Sequence, residues 1–454
     1  MNRELPKGWV WTNLENCVDI LDSQRKPINA EERQERIQNK KESDLYPYYG
    51  ATGQIGWIDG HIFDEELILL GEDGAPFLDF SKDKAYLIKG KTWVNNHAHV
   101  LRAIENIANN LYICHYLNIF DYRNFITGTT RYKLNQSQMR KINIPLPPLA
   151  EQQRIVNKIE ELFTNLDKGV ESLNQAKSKL KIYRQAILKY AMEGKLTEKW
   201  REENKDKIKQ TSNSLENINI KRELPYGWTS TYLKNIILEI KKINPKEKPD
   251  HVFIYIDIAS IDNKKQIITR PKTYLGKNAP ARARQLIKEG DILFSTVRTY
   301  LRNMAIVTKE YDNQVASTGF CVLRSSNVNY KWLFYLIQTD FFLNPLNEIQ
   351  RGTNYPAVRN SDILSQIVPI PPLEEQHIIV ERIEKLFSLA DYIEDTVDSK
   401  LEESKVLRQS ILKKAFEGKL VPQDPNDEPA EILLEKIKME KSNKGKTIQE
   451  KLVQ

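Results

Sequence analysis

Only three cysteines occur in 454 residues, and Cys17, Cys114 and Cys321 each stand alone. They supply neither a disulfide framework nor a paired-thiol metal site, and they fit a reducing, cytoplasmic setting. No apolar run is long enough to cross a bilayer, and the opening residues MNRELPKGW are too polar for a signal peptide. No GxxxxGK[ST] loop cradles a nucleotide. The Asn/Asp-Pro-Pro-aromatic tetrad of amino-methyltransferases is missing, and no convincing Asp…Glu-x-Lys nuclease pattern stands out. His97 and His99 form a single HxH pair with no third ligand signalled, so no metal is expected. No catalytic residue is expected either. Absent chemistry of this breadth favours a recognition module that lends an address to another protein. The formal net charge, +7, nudges towards nucleic acid without proving it.

What is present is a repeat. LPPLAEQQRIVNKIEELF (Leu146 to Phe163) returns as IPPLEEQHIIVERIEKLF (Ile370 to Phe387). The paired prolines exclude helix before them, and Glu151 falls in the first turn, where the helix dipole favours an anion. Apolar residues then recur at steps of three and four: Ile155, Ile159, Leu162, Leu166, Leu173, Ala176, Leu180, Tyr183, Ile187 and Tyr190, with a miss at Gly169. The second copy runs Ile379, Ile383, Leu386, Ala390, Ile393 and Val397, falters at Lys400 and Ser404, and recovers at Leu407 and Ile411. The spacing predicts two coiled-coil helices of about 40 residues, ~60 Å long, that pair with each other. YRQAILKYAMEGKL and LRQSILKKAFEGKL end them alike, with Gly194 and Gly418 as helix stops.

ELPKGW (Glu4 to Trp9) and ELPYGW (Glu223 to Trp228) open the two halves, and Leu14 and Leu233 continue the match. The chain is thus a tandem duplication of about 220 residues. The order is a globular block (1–145), a helical region (146–196), a linker (197–222), a second block (223–369), a second helical region (370–420) and a tail (421–454). The linker reads as polar, partly helical and almost without core residues; the tail either frays or docks near the N-terminus. The blocks are β-rich but share no obvious sequence over their centres. In the first, segment 67–70 reads as a strand, Asn95 to Ala103 as a polar loop entering a strand, and 110–120 as helix. FIYIDIASI, GDILFSTVR and GFCVLR read as strands in the second, with a helix over 329–342.

Each block carries loop residues suited to DNA. In the second, 20 Lys and Arg stand against 13 Asp and Glu, an excess suited to phosphate. Arg282, Arg284, Arg298, Tyr300, Arg302, Arg351, Asn354 and Tyr355 cluster near loop signals; Arg forks onto guanine and Asn onto adenine. The first block is nearly neutral. Its candidates are Gln54, Asn95, Asn96, His97, Arg131 and Tyr132, while Trp57 is expected in the core. GEDGA (Gly71 to Ala75) offers carboxylates, which repel phosphate.

The duplicated PPLxEQ helix starts, the duplicated RQ-x-IL…A…EGKL ends and the repeated ELPxGW resemble the specificity subunit of type I restriction–modification systems. YYGATGQIGWID…FDEELILLGEDGA and GDILFSTVR resemble two classes of target recognition domain. The resemblance covers nearly the whole chain. It implies an α+β fold: two β-rich recognition domains separated by two long helices paired as an antiparallel coiled coil, with pseudo-twofold symmetry. It implies double-stranded DNA as ligand, with each domain reading half of a split site across an unread gap that the helices set. Two modification (methyltransferase) subunits and the restriction (helicase-nuclease) subunits are the implied partners in phage defence. S-adenosylmethionine, ATP and Mg would sit in those partners and no cofactor in this chain. Two other readings remain open: a coiled-coil scaffold that does not read DNA, and a stand-alone endonuclease.

Overall fold

The computed structural model describes residues 4–208 and 223–436. The rest of the expected linker (209–222) and the end of the tail (437–454) lie outside the described residues. The chain forms two compact units, Met1–Asn174 with Asp398–Gln454, and Gln175–Val397.

Each unit closes on the repeated motifs in one way. In the first, strand Val10–Asn13 pairs antiparallel with Asn143–Leu146, which runs through Pro147 and Pro148 into the helix Leu149–Met192. In the second, Thr229–Tyr232 pairs with Ile367–Ile370 ahead of the helix Leu373–Phe416. The repeated tryptophan is buried in both, and its indole N–H donates to the repeated glutamate: Trp9 to Glu151 at 3.0 Å, Trp228 to Glu375 at 2.9 Å. Burial of each indole is satisfied by the hydrogen bond that also fixes the helix start.

The blocks share a topology that their sequences hide. In the first unit, one sheet runs Val18–Ile20, Ala98–Ala103, Leu67–Gly71, Ala85–Ile88. The other runs Gly53–Ile58, Tyr46–Gly50, Lys91–Val94, Phe63–Asp64, with a parallel pair at its centre. The second unit repeats both: Ile237–Leu238, Phe320–Ser325, Ile292–Ser295, Met304–Ile306, and Lys272–Leu275, Val252–Ile256, Val315–Ser317, Ala283–Leu286, again with a central parallel pair. The helix expected over 329–342 is two, Tyr330–Leu336 and Asp340–Glu348, broken where the Thr339 side chain caps the second.

Trp57 departs from expectation. It is 48% exposed, because Gly53–Ile58 is an edge strand of its sheet, and Tyr48 on the neighbouring strand is the buried aromatic instead.

The long helices pair with each other, as the spacing predicts, and run antiparallel, as the resemblance implies. In the first unit Arg408 of the second helix binds Asp167 of the first and lies over the Phe163 ring. In the second unit Arg184 of the first helix reaches Asp391 at 2.6 Å and Glu394 at 3.2 Å and lies over Phe387. The seam is not the single stripe expected: Tyr183, Tyr190, Ile393 and Leu407 are exposed. Near its ends each helix also packs on a globular block through a second face: Val156, Phe163, Leu188, Ala191 and Met192 of the first, and Val380, Leu412, Ala415 and Phe416 of the second, join the block cores. Serving two partners rotates the helix away from a strict heptad contact.

The described part of the linker is docked rather than solvated. Residues 195–207 form short helical turns, and Thr197, Arg201 and Ile208 are buried. The tail docks as well: the Ala430 N–H donates to the Gly8 carbonyl at 3.0 Å, Asp427 pairs with Arg154 at 2.6 Å, and Leu434 enters the first core. Gly194 and Gly418 both have positive φ, +72° and +67°, and a Cβ on either would strike proline, Pro225 and Pro6 respectively. Conformation and space together require glycine at both helix stops.

Candidate nucleic-acid interface

The central strand of each block ends in the same loop. In the first unit, the Glu72 N–H donates to the His97 carbonyl at 2.8 Å, Leu134 N–H to Glu72 at 2.7 Å, and Gly74 N–H to Tyr132 at 3.0 Å; Asp73 bridges Lys133. In the second, the Thr296 N–H donates to Gly319 at 3.0 Å, Val358 N–H to Thr296 at 2.9 Å, and Arg298 N–H to Pro356 at 2.7 Å; Val297 bridges Ala357. Glu72-Asp73-Gly74 and Thr296-Val297-Arg298 are therefore counterparts, each zipped to the segment that follows a Gly-Thr pair, Gly128-Thr129 in the first block and Gly352-Thr353 in the second. The backbone plan is common and the side chains differ.

In the first unit, Asp73 draws His97 and Arg131 together, each at 2.8 Å. Asn96 is exposed beside them. Gln54 is exposed on the hairpin whose tip places the Ala51 carbonyl against Gly71. Asn95 is only 5% exposed; its N–H donates to the Tyr49 carbonyl and its side-chain oxygen accepts from the His97 N–H, so it positions the loop instead of presenting an amide to DNA. Tyr132 is half-buried against the core. Structure thus brings His97 and Arg131 onto the carboxylates of GEDGA, which Arg25 (2.8 Å) and Lys133 (3.3 Å) also face at Glu72, while the Gln54 amide donates to the Gly56 carbonyl on the neighbouring hairpin. Three cations, Arg25, Arg131 and Lys133, offset the repulsion that two carboxylates would exert on phosphate.

Beneath the loop lies a network that sequence reasoning missed. Asp22 accepts from the Val100 N–H at 2.9 Å and Gln136 at 3.0 Å and meets His99 Nδ1 at 2.7 Å, while His99 Nε2 meets the Leu134 carbonyl at 2.8 Å. Position was the available signal: His99 lies inside the strand Ala98–Ala103, whereas His97 precedes it. Burial pushes the Asp22 carboxyl up, but His99, the Val100 N–H and Arg25 outweigh it, so the group sits below its ordinary range. A lowered value means stability present above the ordinary carboxylate value and lost as pH falls through the lowered one. Asp22→Asn is expected to cost about 1–3 kcal/mol near neutral pH. The gap in unfolding temperature between wild type and variant should shrink on acidification; a gap that stays constant contradicts this.

In the second unit the loop carries cations. The Arg298 guanidinium lies 4.9 Å from the centre of the Tyr355 ring, and its Nη2 donates to the Asn354 carbonyl at 2.9 Å. Tyr355 is 71% exposed, and Tyr300 is exposed on the turn after Arg298. Arg282 is exposed and its carbonyl accepts from Thr318, next to the Gly319 that holds Thr296. The remaining candidates are engaged by protein: Arg284 by Asn244 at 2.6 Å, Arg302 by Asp340 at 2.5 Å, Arg351 by Asp362 at 2.7 Å. Arg282, Arg298, Tyr300, Asn354 and Tyr355 therefore make the open face. Planar cations beside exposed aromatic rings suit phosphate, base edges and base faces alike.

Among the described residues no helix is long and apolar enough to cross a membrane. The profile of the family described as "Type I restriction modification DNA specificity domain" matches residues 6–181 and 225–403. The chain is 28% identical over 413 residues to the type I restriction enzyme EcoDI specificity subunit of Escherichia coli, covering 88% of this chain and 90% of that one. It is 30% identical over 358 residues to the EcoKI specificity subunit of Escherichia coli strain K12, covering 74% and 72%. A crystal structure of the HsdS subunit from Thermoanaerobacter tengcongensis aligns at TM-score 0.37 and 40% identity over 38% of this chain and 45% of that one. With both repeats matched by one family, the chain belongs to the type I restriction–modification DNA specificity subunits.

Proposed function

We propose that this chain addresses a two-part DNA target and performs no chemistry itself. The first block reads one half and the second block the other. The paired helices set the unread gap and hold two methyltransferase subunits, and helicase-nuclease subunits complete the assembly. S-adenosylmethionine, ATP and Mg belong to those partners.

The observation that carries this reading is the shared loop with unlike side chains. One backbone presents carboxylates ringed by His97, Arg131, Arg25 and Lys133 in the first block, and Arg298 over Tyr355 in the second. Two readers of one design and different content suit a target whose halves differ. A second observation supports a partner present twice. The repeated K-x-x-R-Q segment exposes Ile182 and Tyr183 on one helix, and Val406 and Leu407 at the matching places on the other. Apolar side chains exposed at matching places suit one partner surface used twice.

Duplex binding by the full chain, alone and with a partner methyltransferase, separates the readings. Affinity that falls steeply with salt, with no turnover by the chain alone in Mg and S-adenosylmethionine, is expected. Cleavage or methyl transfer by the chain alone establishes an enzyme. Absence of salt-dependent binding even with the partner present establishes a scaffold.

A further inference from the structure

We propose that Arg298 reads a guanine in the half-site taken by the second block. The proposal rests on the reading of the blocks as DNA-binding and adds to it a residue and a base.

Three observations converge. The first is conformational. Arg298 has φ +50°, in the left-handed region, at the place where the first block has Gly74 with φ +70°. Side chains with a Cβ are disfavoured there, and glycine serves the same turn without strain. A long side chain held in such a conformation marks a position where its direction matters more than backbone comfort.

The second is its company. Arg131, Arg302 and Arg351 each face a carboxylate, at 2.8, 2.5 and 2.7 Å. Among the described residues Arg298 forms no ion pair. One of its five N–H groups is spent on the Asn354 carbonyl, and Nε is buried without a partner. The free N–H groups on the two terminal nitrogens remain for a ligand.

The third is its mounting. The Tyr355 ring beneath the guanidinium restricts the side chain before DNA arrives, which lowers the ordering cost of binding. A planar fork held in this way matches the O6 and N7 acceptors on the major-groove edge of guanine. Adenine replaces O6 with a donor and so rejects the fork. A phosphate contact is the competing role, and the two differ in what a substitution does.

Selection of full-length chain assembled with its partner methyltransferase on randomised duplexes, with sequencing of the bound fraction, tests the proposal. Arg298→Gly is the decisive variant, because glycine fits the left-handed turn and its unfolding temperature should equal or exceed that of wild type. Arg298→Asn, also tolerant of this conformation, is the second variant. Wild type is expected to require guanine at one position of one half. Both variants should lose that preference by roughly 5- to 150-fold and leave the other half unchanged. Uniformly weaker binding to an unchanged sequence, with a shallower salt dependence, would make Arg298 a phosphate contact and overturn the proposal. Relaxation at a base other than guanine would overturn it as well. Wild type that enriches no sequence defeats the DNA-reading account and this proposal together, whereas wild type that enriches a two-part sequence which the variants retain defeats this proposal alone.

Discussion

Arg201→Ala is expected to lower the stability of the second unit by about 3–5 kcal/mol, the usual result of removing one partner from a buried ion pair. Arg201 and Glu375 are both buried, and their side chains meet at 2.5 Å. Glu375 also accepts from Thr197 at 2.6 Å and from Trp228 at 2.9 Å, and Arg201 donates to the Gly194 carbonyl at 2.6 Å. The linker, the opening motif, the end of the first helix and the start of the second all meet at this carboxylate. Without Arg201 the charge is stranded in the protein interior, where the lost attraction is no longer offset by water. The matching glutamate in the first unit predicts the contrast. Glu151 keeps the indole bond but forms no ion pair among the described residues, and burial pushes its carboxyl above the ordinary range. Its ionisation therefore costs stability as pH rises through that raised value, and Glu151→Gln should change stability little while removing this dependence. Urea unfolding of both variants is the measurement. A loss below about 1 kcal/mol for Arg201→Ala would mean that the pair contributes no more than a surface salt bridge does.

Ile182→Asp together with Val406→Asp is expected to abolish methyltransferase binding and leave the fold intact. The two side chains are 69% and 63% exposed, so a charge at either place displaces no core contact. Buried in a partner interface, the same charge would cost about 2 kcal/mol or more at each site, enough to weaken each contact ~30-fold or further. Because the places match, each single variant should retain one partner copy and the double variant none. Native mass spectrometry of the assembled complex reads this directly. Two copies still bound to the double variant would place the docking surface elsewhere.

The parts legible in the sequence are those where local chemistry and structure coincide. Trp9 and Trp228, Glu151 and Glu375, Gly194 and Gly418 each recur in the sequence because each pair does one structural task twice. The helix pairing was legible for the same reason, although Tyr183 and Leu407 show that a heptad pattern alone cannot distinguish a seam from a surface left open. The common topology of the blocks was not legible, since a shared backbone plan constrains hydrogen bonds and burial, not residue identity; Gly74 and Arg298 fill one backbone position. Nor could spacing reveal that Arg25, His97, Arg131 and Lys133 converge on Glu72 and Asp73, because those partners lie far apart in the chain and meet only after the sheets form. Trp57 was misplaced because an aromatic residue in a β-rich stretch does not announce whether its strand lies at the centre or the edge of a sheet. The docking of the linker was not legible because its burial rests on single residues, Thr197, Arg201 and Ile208, each inside a polar stretch.

The central claim, two unlike DNA readers on one chain whose chemistry is supplied by partners, is tested most directly by mapping methylated bases in DNA exposed to the full chain with its methyltransferase. The account predicts one motif of two short, different, specified halves separated by an unspecified gap of constant length. Methylation at a single uninterrupted motif, or at sites unaffected by exchanging either block, would contradict it.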